Sequence, residues 1–224
     1  MLHQTQVARV VLRYDSFLAE FPTPGVMADA GPGAVITAWG NLGYPRRARR
    51  LWEAAVEIST HGWPDDLSEL PGVGRYTAAA VAAQADDADV AAVDVNVRRV
   101  VERVRGTRLT TREAERAMVD IGYPLRGRNR LLALMDVGAQ VCRARDPACG
   151  RCPLHDQCRT RGVLPDETRS HQAPFAGSFR QRRGRVLETL RNGSARAQDL
   201  DGEALASLVD DGLAVIDRST ARLP

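Results

Sequence analysis

Apolar residues recur at helical spacing along most of the chain, as at Leu51, Ala55 and Ile58, and residues 78–85 are rich in alanine. Residues three to four apart lie on one face of a helix, so this pattern predicts amphipathic helices. Pro and Gly interrupt it at 22–25, 31–33, 62–64, 71–74, 122–127, 147–153 and 162–165. Only short stretches near 90–95 and 213–223 look like strands. The sequence therefore predicts an all-α fold.

The last part of the chain has a different pattern. Residues 163–180 combine Pro, Gly, Ser and charged residues without a period, which predicts a linker. Beyond it, 182–191 and 202–211 are predicted helices, and 213–216 with 220–223 form a predicted hairpin. That order resembles a small winged helix.

Length and cysteine placement limit the class of protein. A chain of 224 residues can bury a real core without disulfide bridges. All four cysteines fall within 142–158, unlike disulfides that brace a secreted fold. No apolar run approaches the length of a membrane span, and the start of the chain lacks the pattern of a secretory signal. We expect a cytoplasmic, nucleoid-associated bacterial protein.

The basic charge is carried by arginine alone, because lysine is absent and the formal net charge is +3. The arginines cluster locally, at Arg46, Arg47, Arg49 and Arg50 and again at Arg143, Arg145, Arg151, Arg159 and Arg161. Such clusters suit a polyanionic partner. A solvated surface, with arginine favoured by GC-rich coding, would produce the same pattern.

The four cysteines form a ligand set, Cys142-x6-Cys149-x2-Cys152-x5-Cys158. Four thiolates suit either an iron–sulfur cluster or zinc. Zinc ribbons pair two Cys-x-x-Cys units, whereas this segment has one. The spacing also differs from that of bacterial ferredoxins, which argues against an electron carrier. We therefore expect a [4Fe–4S] cluster, with zinc as the alternative.

Two glycines precede the alanine-rich helix in the segment Leu70–Ala78. Glycine lets the backbone approach a phosphate closely, and free amides at a helix N-terminus bind that phosphate without reading the base sequence. The backbone of Gly72, Val73, Gly74 and Arg75 is thus a candidate DNA contact. A tight turn without any ligand would look alike.

Asp94 lies in the segment Ala92-Val93-Asp94-Val95-Asn96-Val97-Arg98-Arg99, and a carboxylate downstream of the hairpin favours a functional site over a bare turn. The same residue could cap the helix that Val97 and Val100 continue. The two roles are compatible.

Taken together, the hairpin, Asp94 and the cysteine set resemble the endonuclease III superfamily of helix-hairpin-helix DNA glycosylases, over residues 1 to about 160. Segments Met1–Val7, Trp39–Tyr44 and Val93–Arg98 resemble its MutY branch, which excises adenine mispaired with 8-oxoguanine. The resemblance implies a six-helix-barrel-type domain with the hairpin at 1–110 and an iron–sulfur domain at 111–162. The linker 163–180 and the C-terminal segment 181–224 would follow.

The resemblance also implies residue roles. Asp94 would stabilise the oxocarbenium-like sugar, and the Tyr76 hydroxyl would support the active site. Gln4 and Tyr44 would wedge into the duplex as adenine flips out. Thr5, Leu42, Gly43 and Asn96 complete the implied DNA-binding set. Tyr76 stands where the bifunctional branch has a nucleophilic Lys, so we expect a monofunctional enzyme, a monomer acting on duplex DNA with a mispaired or oxidised base.

Three departures restrain the resemblance. The family's catalytic Glu lies two residues upstream of the residue matched by Met1, so the chain as given is expected to be folded but weakly active. Leu132 stands where many relatives have Gln or Glu. The residues after the cluster are too few for the Nudix-like domain of longer members. Thymine or uracil mismatch glycosylases and a catalytically silent DNA-binding relative therefore remain alternatives.

Overall fold

The helical prediction is confirmed by a computed structural model, which describes residues 1–2, 5–167 and 173–224. The helices and strands are α1 Val7–Glu20, α2 Pro24–Trp39, α3 Arg46–His61, α4 Arg75–Ala85, α5 Val95–Arg105, α6 Thr111–Gly122, α7 Gly127–Asp136, α8 Phe179–Arg191, β1 Ala195–Arg196, α9 Gly202–Asp210, β2 Val215–Asp217 and β3 Thr220–Arg222. Within these residues, no helix has the length and apolar character needed to cross a membrane.

The chain divides into two compact units. The first contains Met1–Gly72 and His171–Pro224, and the second contains Val73–Ser170. This division differs from the predicted domain boundaries at 110, 162 and 180, because the C-terminal segment shares a unit with the first helices. The predicted domains stay a prediction.

The first unit has one apolar core built from both ends of the chain. Phe17, Ile36 and Trp39 from the N-terminal helices belong to the same buried cluster as Leu190 and Leu208 from the C-terminal ones. Burial of such side chains is the main stabilising term in folding. The C-terminal segment is therefore part of this core.

The winged-helix-like order of the C-terminal segment is confirmed, with two differences. Helix α8 begins at Phe179, before the predicted start, because the Ser178 side chain accepts a hydrogen bond from the Gln181 amide and caps it. The predicted hairpin forms, with Ile216 opposite Ala221, and β1 joins it to give the order β1-β3-β2. A two-residue strand carries too little periodicity to be found from sequence.

The second unit packs α4 to α7 around buried apolar residues such as Val97, Met118 and Leu131. A capping box begins α6, in which Thr110 and Glu113 satisfy each other's backbone amides. The strand-like pattern near 90–95 was misleading: its residues up to Asp94 are irregular and α5 starts at Val95. Asp94 caps α5, so the local hydrogen bonds favour a helix start over a strand.

Candidate functional site

Asp94 is held in one orientation by three hydrogen bonds. Its Oδ1 accepts from the backbone amides of Asn96 at 2.9 Å and Val97 at 2.7 Å, and its Oδ2 accepts from the Asn96 side-chain amide at 2.9 Å. An ionised carboxylate has about four acceptor positions. One position on Oδ2 therefore stays available on this half-buried residue. The capping role expected from the sequence is confirmed.

Tyr76 lies in the first turn of α4, close enough to Asp94 for their charges to interact. Burial of the ring, followed by the negative charge of Asp94, raises the pKa of the Tyr76 phenol above its usual value. The ring also packs beside the apolar core of the second unit. The structure thus brings together the two residues predicted to be catalytic, with the phenol protonated at neutral pH.

A chain of hydrogen bonds runs from Asp94 to the first cysteine. The Asn96 side-chain oxygen accepts from Arg99 Nη2 at 2.9 Å, and Arg99 Nε donates to the Cys142 carbonyl at 2.7 Å. Arg99 Nη2 also donates to the Gly138 carbonyl at 2.6 Å. Sequence reasoning missed Arg99, although its place on α5 one turn beyond Asn96 puts both on one helix face.

The four cysteines line a single cavity in the second unit. Four thiolates around one cavity are the ligand type that a four-iron cluster takes. Arg103 Nη1 donates to Cys142 Sγ and the Arg161 amide donates to Cys158 Sγ, both at 3.4 Å. This donor set fits a four-iron cluster.

Arginines surround the cysteines with their side chains exposed to solvent. Arg143, Arg145, Arg151, Arg159 and Arg161 are all exposed, and none of them forms an ion pair with a carboxylate within the described ranges. Charges left unpaired at a surface are available to phosphates. The interpretation that these arginines face a polyanion stays a prediction.

Gly72 and Gly74 of the hairpin differ in what a side chain would meet at each position. Gly72 has a φ of +78°, and a Cβ there would lie 2.6 Å from the Arg50 Cβ, so conformation and space both require glycine. Gly74 precedes α4 without a side-chain cap, and nothing lies within 4 Å of the place of its Cβ. The first amides of α4 are thus approachable, as an anion site requires. Val73 is half-buried, and Arg75 is exposed and paired with Glu115 at 2.7 Å.

Arg47 organises the predicted lesion-contact residues of the first unit. Its Nη2 donates to Thr5 Oγ1 at 2.9 Å and to the Gly43 carbonyl at 3.5 Å, while Thr5 Oγ1 donates to the Leu42 carbonyl at 3.0 Å. The guanidinium also lies 5.4 Å from the centre of the Tyr44 ring, which is 48% exposed. Burial lowers the pKa of Arg47. The sequence had placed Arg47 only in a basic cluster.

The neighbours of Arg47 on α3 pair with carboxylates of the first unit. Arg46 pairs with Asp211 at 3.2 Å, and both Arg49 and Arg50 pair with Glu53 at 2.9 and 2.8 Å. The sequence could not distinguish these paired arginines from the unpaired ones around the cysteines. Gln4, the other predicted wedge, lies outside the described residues.

A hairpin that leads into a helix, an oriented carboxylate beside a phenol and a cysteine-lined cavity occur together in one class of protein, the iron–sulfur helix-hairpin-helix DNA glycosylases. Family models agree: residues 1–122 match the HhH-GPD superfamily of base excision DNA repair proteins, and residues 142–158 match the iron-sulfur binding domain of endonuclease III. The chain belongs to the HhH-GPD superfamily. It is a base excision repair DNA glycosylase with a [4Fe–4S] cluster.

Individual relatives support the same assignment. The chain is 41% identical to the adenine DNA glycosylase of Mycolicibacterium smegmatis, over 95% of this chain and 80% of the relative. A thermostable thymine-DNA glycosylase superposes with a TM-score of 0.62 at 27% identity, covering 71% of this chain and 79% of the other. A trapped endonuclease III–DNA covalent intermediate superposes with the same TM-score at 26% identity, with the same coverage.

Proposed function

We propose that this chain excises adenine mispaired with 8-oxoguanine or guanine in duplex DNA, as a monomer acting at the bacterial nucleoid. The observation that carries the proposal is the oriented Asp94 carboxylate beside the Tyr76 phenol, in a chain 41% identical to an adenine DNA glycosylase. The unpaired arginines around the cluster would bind DNA phosphates.

Asp94 would act on the sugar. Breaking the N-glycosidic bond leaves positive charge on the sugar ring, and an adjacent carboxylate lowers the energy of that state. The amides of Asn96 and Val97 fix Oδ1, so Oδ2 is the oxygen that can face the sugar. Water then adds its hydroxyl to the sugar and its proton ends on the departing adenine, which yields an abasic site and free adenine. The protonated Tyr76 phenol would supply a hydrogen-bond donor beside this carboxylate.

The reaction would stop at the abasic site. The bifunctional branch forms its Schiff base with a Lys after the hairpin Arg, whereas this chain has Tyr76 at that position and no lysine elsewhere. The product strand should therefore stay intact until alkali is added. This distinguishes the proposed enzyme from the bifunctional branch of the superfamily.

The Arg47 cluster, defined as Thr5, Leu42, Gly43, Tyr44 and Arg47, would contact the purine left opposite the excised base. Tyr44 is exposed and held in the left-handed region with a φ of +49°, so its ring projects from a constrained turn. An aromatic wedge fills the space left by a flipped base. Gln4 would act with it, and the hairpin from Gly72 to Arg75, with Asn96 supporting Asp94, would hold the backbone.

Thymine or uracil excision from mispairs with guanine is the second candidate. The superposition on a thymine-DNA glycosylase favours it, as does Leu132 on α7, an apolar side chain that is 41% exposed and offers no hydrogen bond to adenine. An adenine-reading site would place a polar group there.

Base release from four duplexes distinguishes these functions. The chain and its Asp94→Asn variant would be incubated in excess over duplexes containing adenine opposite 8-oxoguanine, adenine opposite guanine, thymine opposite guanine and uracil opposite guanine. We expect alkali-dependent cleavage at adenine that Asp94→Asn slows by about 10²–10³-fold. Binding is measured separately, and a higher affinity for the duplex with adenine opposite 8-oxoguanine than for a fully paired duplex is a readout that is independent of catalysis. Preferential release of thymine or uracil would contradict the proposal.

A further inference from the structure

Glu167 lies beyond the last cluster cysteine and outside the segment matched by the iron–sulfur model. Its two carboxylate oxygens accept from Nη2 and Nε of Arg103, each at 2.9 Å. Arg103 is 1% exposed at its side chain and Glu167 11%. Two parallel hydrogen bonds between planar groups fix the relative orientation of both. The pair is thus a rigid unit in the interior of the second unit.

Every N–H of the Arg103 guanidinium has an acceptor. Besides the two bonds to Glu167, Nη1 donates to Cys142 Sγ at 3.4 Å and to the Arg143 carbonyl at 2.8 Å. Nη2 also donates to the Ala144 carbonyl at 3.3 Å. An arginine side chain has five N–H donors, so none is left over. The guanidinium therefore holds the first cysteine and the backbone that follows it.

The backbone of the same helix end holds the last cysteine segment. The carbonyl of Arg103 accepts from the Thr160 amide at 3.2 Å, and that of Val104 accepts from the Arg159 amide at 3.1 Å. These carbonyls belong to the last turn of α5, where helix carbonyls need partners from outside the helix. One point on α5 thus anchors the start and the end of the cluster segment.

We propose that Arg103 and Glu167 are positioning residues for the cluster, and that their opposed charges set its reduction potential, with Glu167 acting through Arg103. A cation that donates to a ligand sulfur stabilises the reduced, more negative cluster. The Glu167 carboxylate compensates most of that positive charge. This proposal rests on the cluster alone and is independent of which base is excised.

If the charges of Arg103 and Glu167 set the reduction potential, removing one charge or the other should shift that potential in opposite directions. A purely structural role would not produce opposite shifts. Glu167→Gln keeps the shape of the side chain but removes the negative charge, so the reduction potential rises. Arg103→Gln removes the cation and the sulfur hydrogen bond and leaves Glu167 uncompensated, so the potential falls. General loosening of the cluster segment would move both variants in the same direction by exposing the cluster to water.

The test uses the full chain with its cluster in place. The reduction potential is measured by film voltammetry, and cluster loss is followed by the decay of the visible absorbance after a chelator is added. We expect a rise in potential for Glu167→Gln, a fall for Arg103→Gln and about 10-fold faster cluster loss for the latter. Asp166→Asn, which removes a charge from an exposed neighbouring residue, is the control and should match the parent chain.

Two results would overturn the proposal. One is a Glu167→Gln potential equal to that of Asp166→Asn, and the other is a shift of both pair variants in the same direction. If Arg103→Gln does not retain a cluster, the comparison of Glu167→Gln with Asp166→Asn still decides, because glutamine preserves the volume of the side chain.

Discussion

The side-chain amide of Asn96 joins the Asp94 carboxylate to Arg99. Its nitrogen donates to Asp94 Oδ2 at 2.9 Å, and its oxygen accepts from Arg99 Nη2 at 2.9 Å. Because Arg99 also donates to the carbonyl of Cys142, the side chains of Asn96 and Arg99 together connect the candidate catalytic carboxylate with the backbone of a cluster ligand. Burial lowers the pKa of Arg99.

Replacing Asn96 with alanine should separate orientation of the carboxylate from cluster binding. Asp94 keeps its backbone hydrogen bonds but loses the one to Oδ2, so we expect base excision to slow by about 10-fold, the equivalent of one lost hydrogen bond to a charged group. Single-turnover base release measures this. The visible absorbance of the cluster should stay at the parent level, and its loss would show that Asn96 serves the cluster segment instead.

Tyr76 should make stability depend on alkaline pH. Its pKa is raised in the folded chain, so above the usual phenol pKa of about 10 the unfolded chain releases a proton that the folded chain retains. The unfolded state then binds fewer protons, and the free energy of unfolding falls as the pH rises further. Urea unfolding between pH 8 and pH 11 measures the slope.

The matched variant for this prediction is Tyr76→Phe, which should have a shallower decline above pH 10 than the parent. A parallel decline in both proteins would mean that other groups are responsible.

Arg47→Lys should weaken recognition of the mispair without affecting the cluster. The Arg47 guanidinium donates to both Thr5 and Gly43 while it lies against the Tyr44 ring. A lysine ammonium is a single point charge and cannot make all three contacts at once. We expect about 10-fold less discrimination between adenine opposite 8-oxoguanine and a normal pair, measured by fluorescence anisotropy. The control is Arg50→Lys on the same helix, an exposed side chain that pairs with Glu53.

An equal loss of discrimination in both variants would point to a general effect of replacing a guanidinium by an ammonium on α3, not to the Arg47 contacts.

Asp211 should stabilise the first unit through three arginines. Its carboxylate pairs with Arg46 at 3.2 Å and with Arg183 at 2.6 Å, and its carbonyl accepts from Arg49 at 3.2 Å. Removing the charge with Asp211→Asn should lower the free energy of unfolding by about 1–2 kcal/mol, because these are hydrogen bonds to a partly buried ion. Thermal unfolding measures it.

Asp210→Asn, on the exposed neighbouring residue, should change stability by less than about 0.5 kcal/mol. A similar loss of stability in both variants would mean that the change in net charge causes the effect, and not the loss of the Asp211 contacts.

Local signals were sufficient where short-range chemistry decides the structure. Apolar periodicity predicted the helices, cysteine spacing predicted the cluster, and the position of Asp94 predicted both a cap and a candidate carboxylate. The secondary-structure predictions that were wrong or missed concerned segments with a short or ambiguous pattern. Residues 90–95 look like a strand until the capping bonds of Asp94 are counted, and β1 is too short to have a pattern.

The sequence by itself determined the helical class, the cluster ligands and the resemblance to a DNA glycosylase, because each depends on residue type and spacing along the chain. Only the tertiary structure decided which arginines pair with carboxylates. Arg46 meets Asp211 and Arg103 meets Glu167, whereas the arginines around the cysteines have no such partner among the described residues. The partners are distant in sequence and are brought together by burial of the apolar cores, which charge patterning along the chain does not encode.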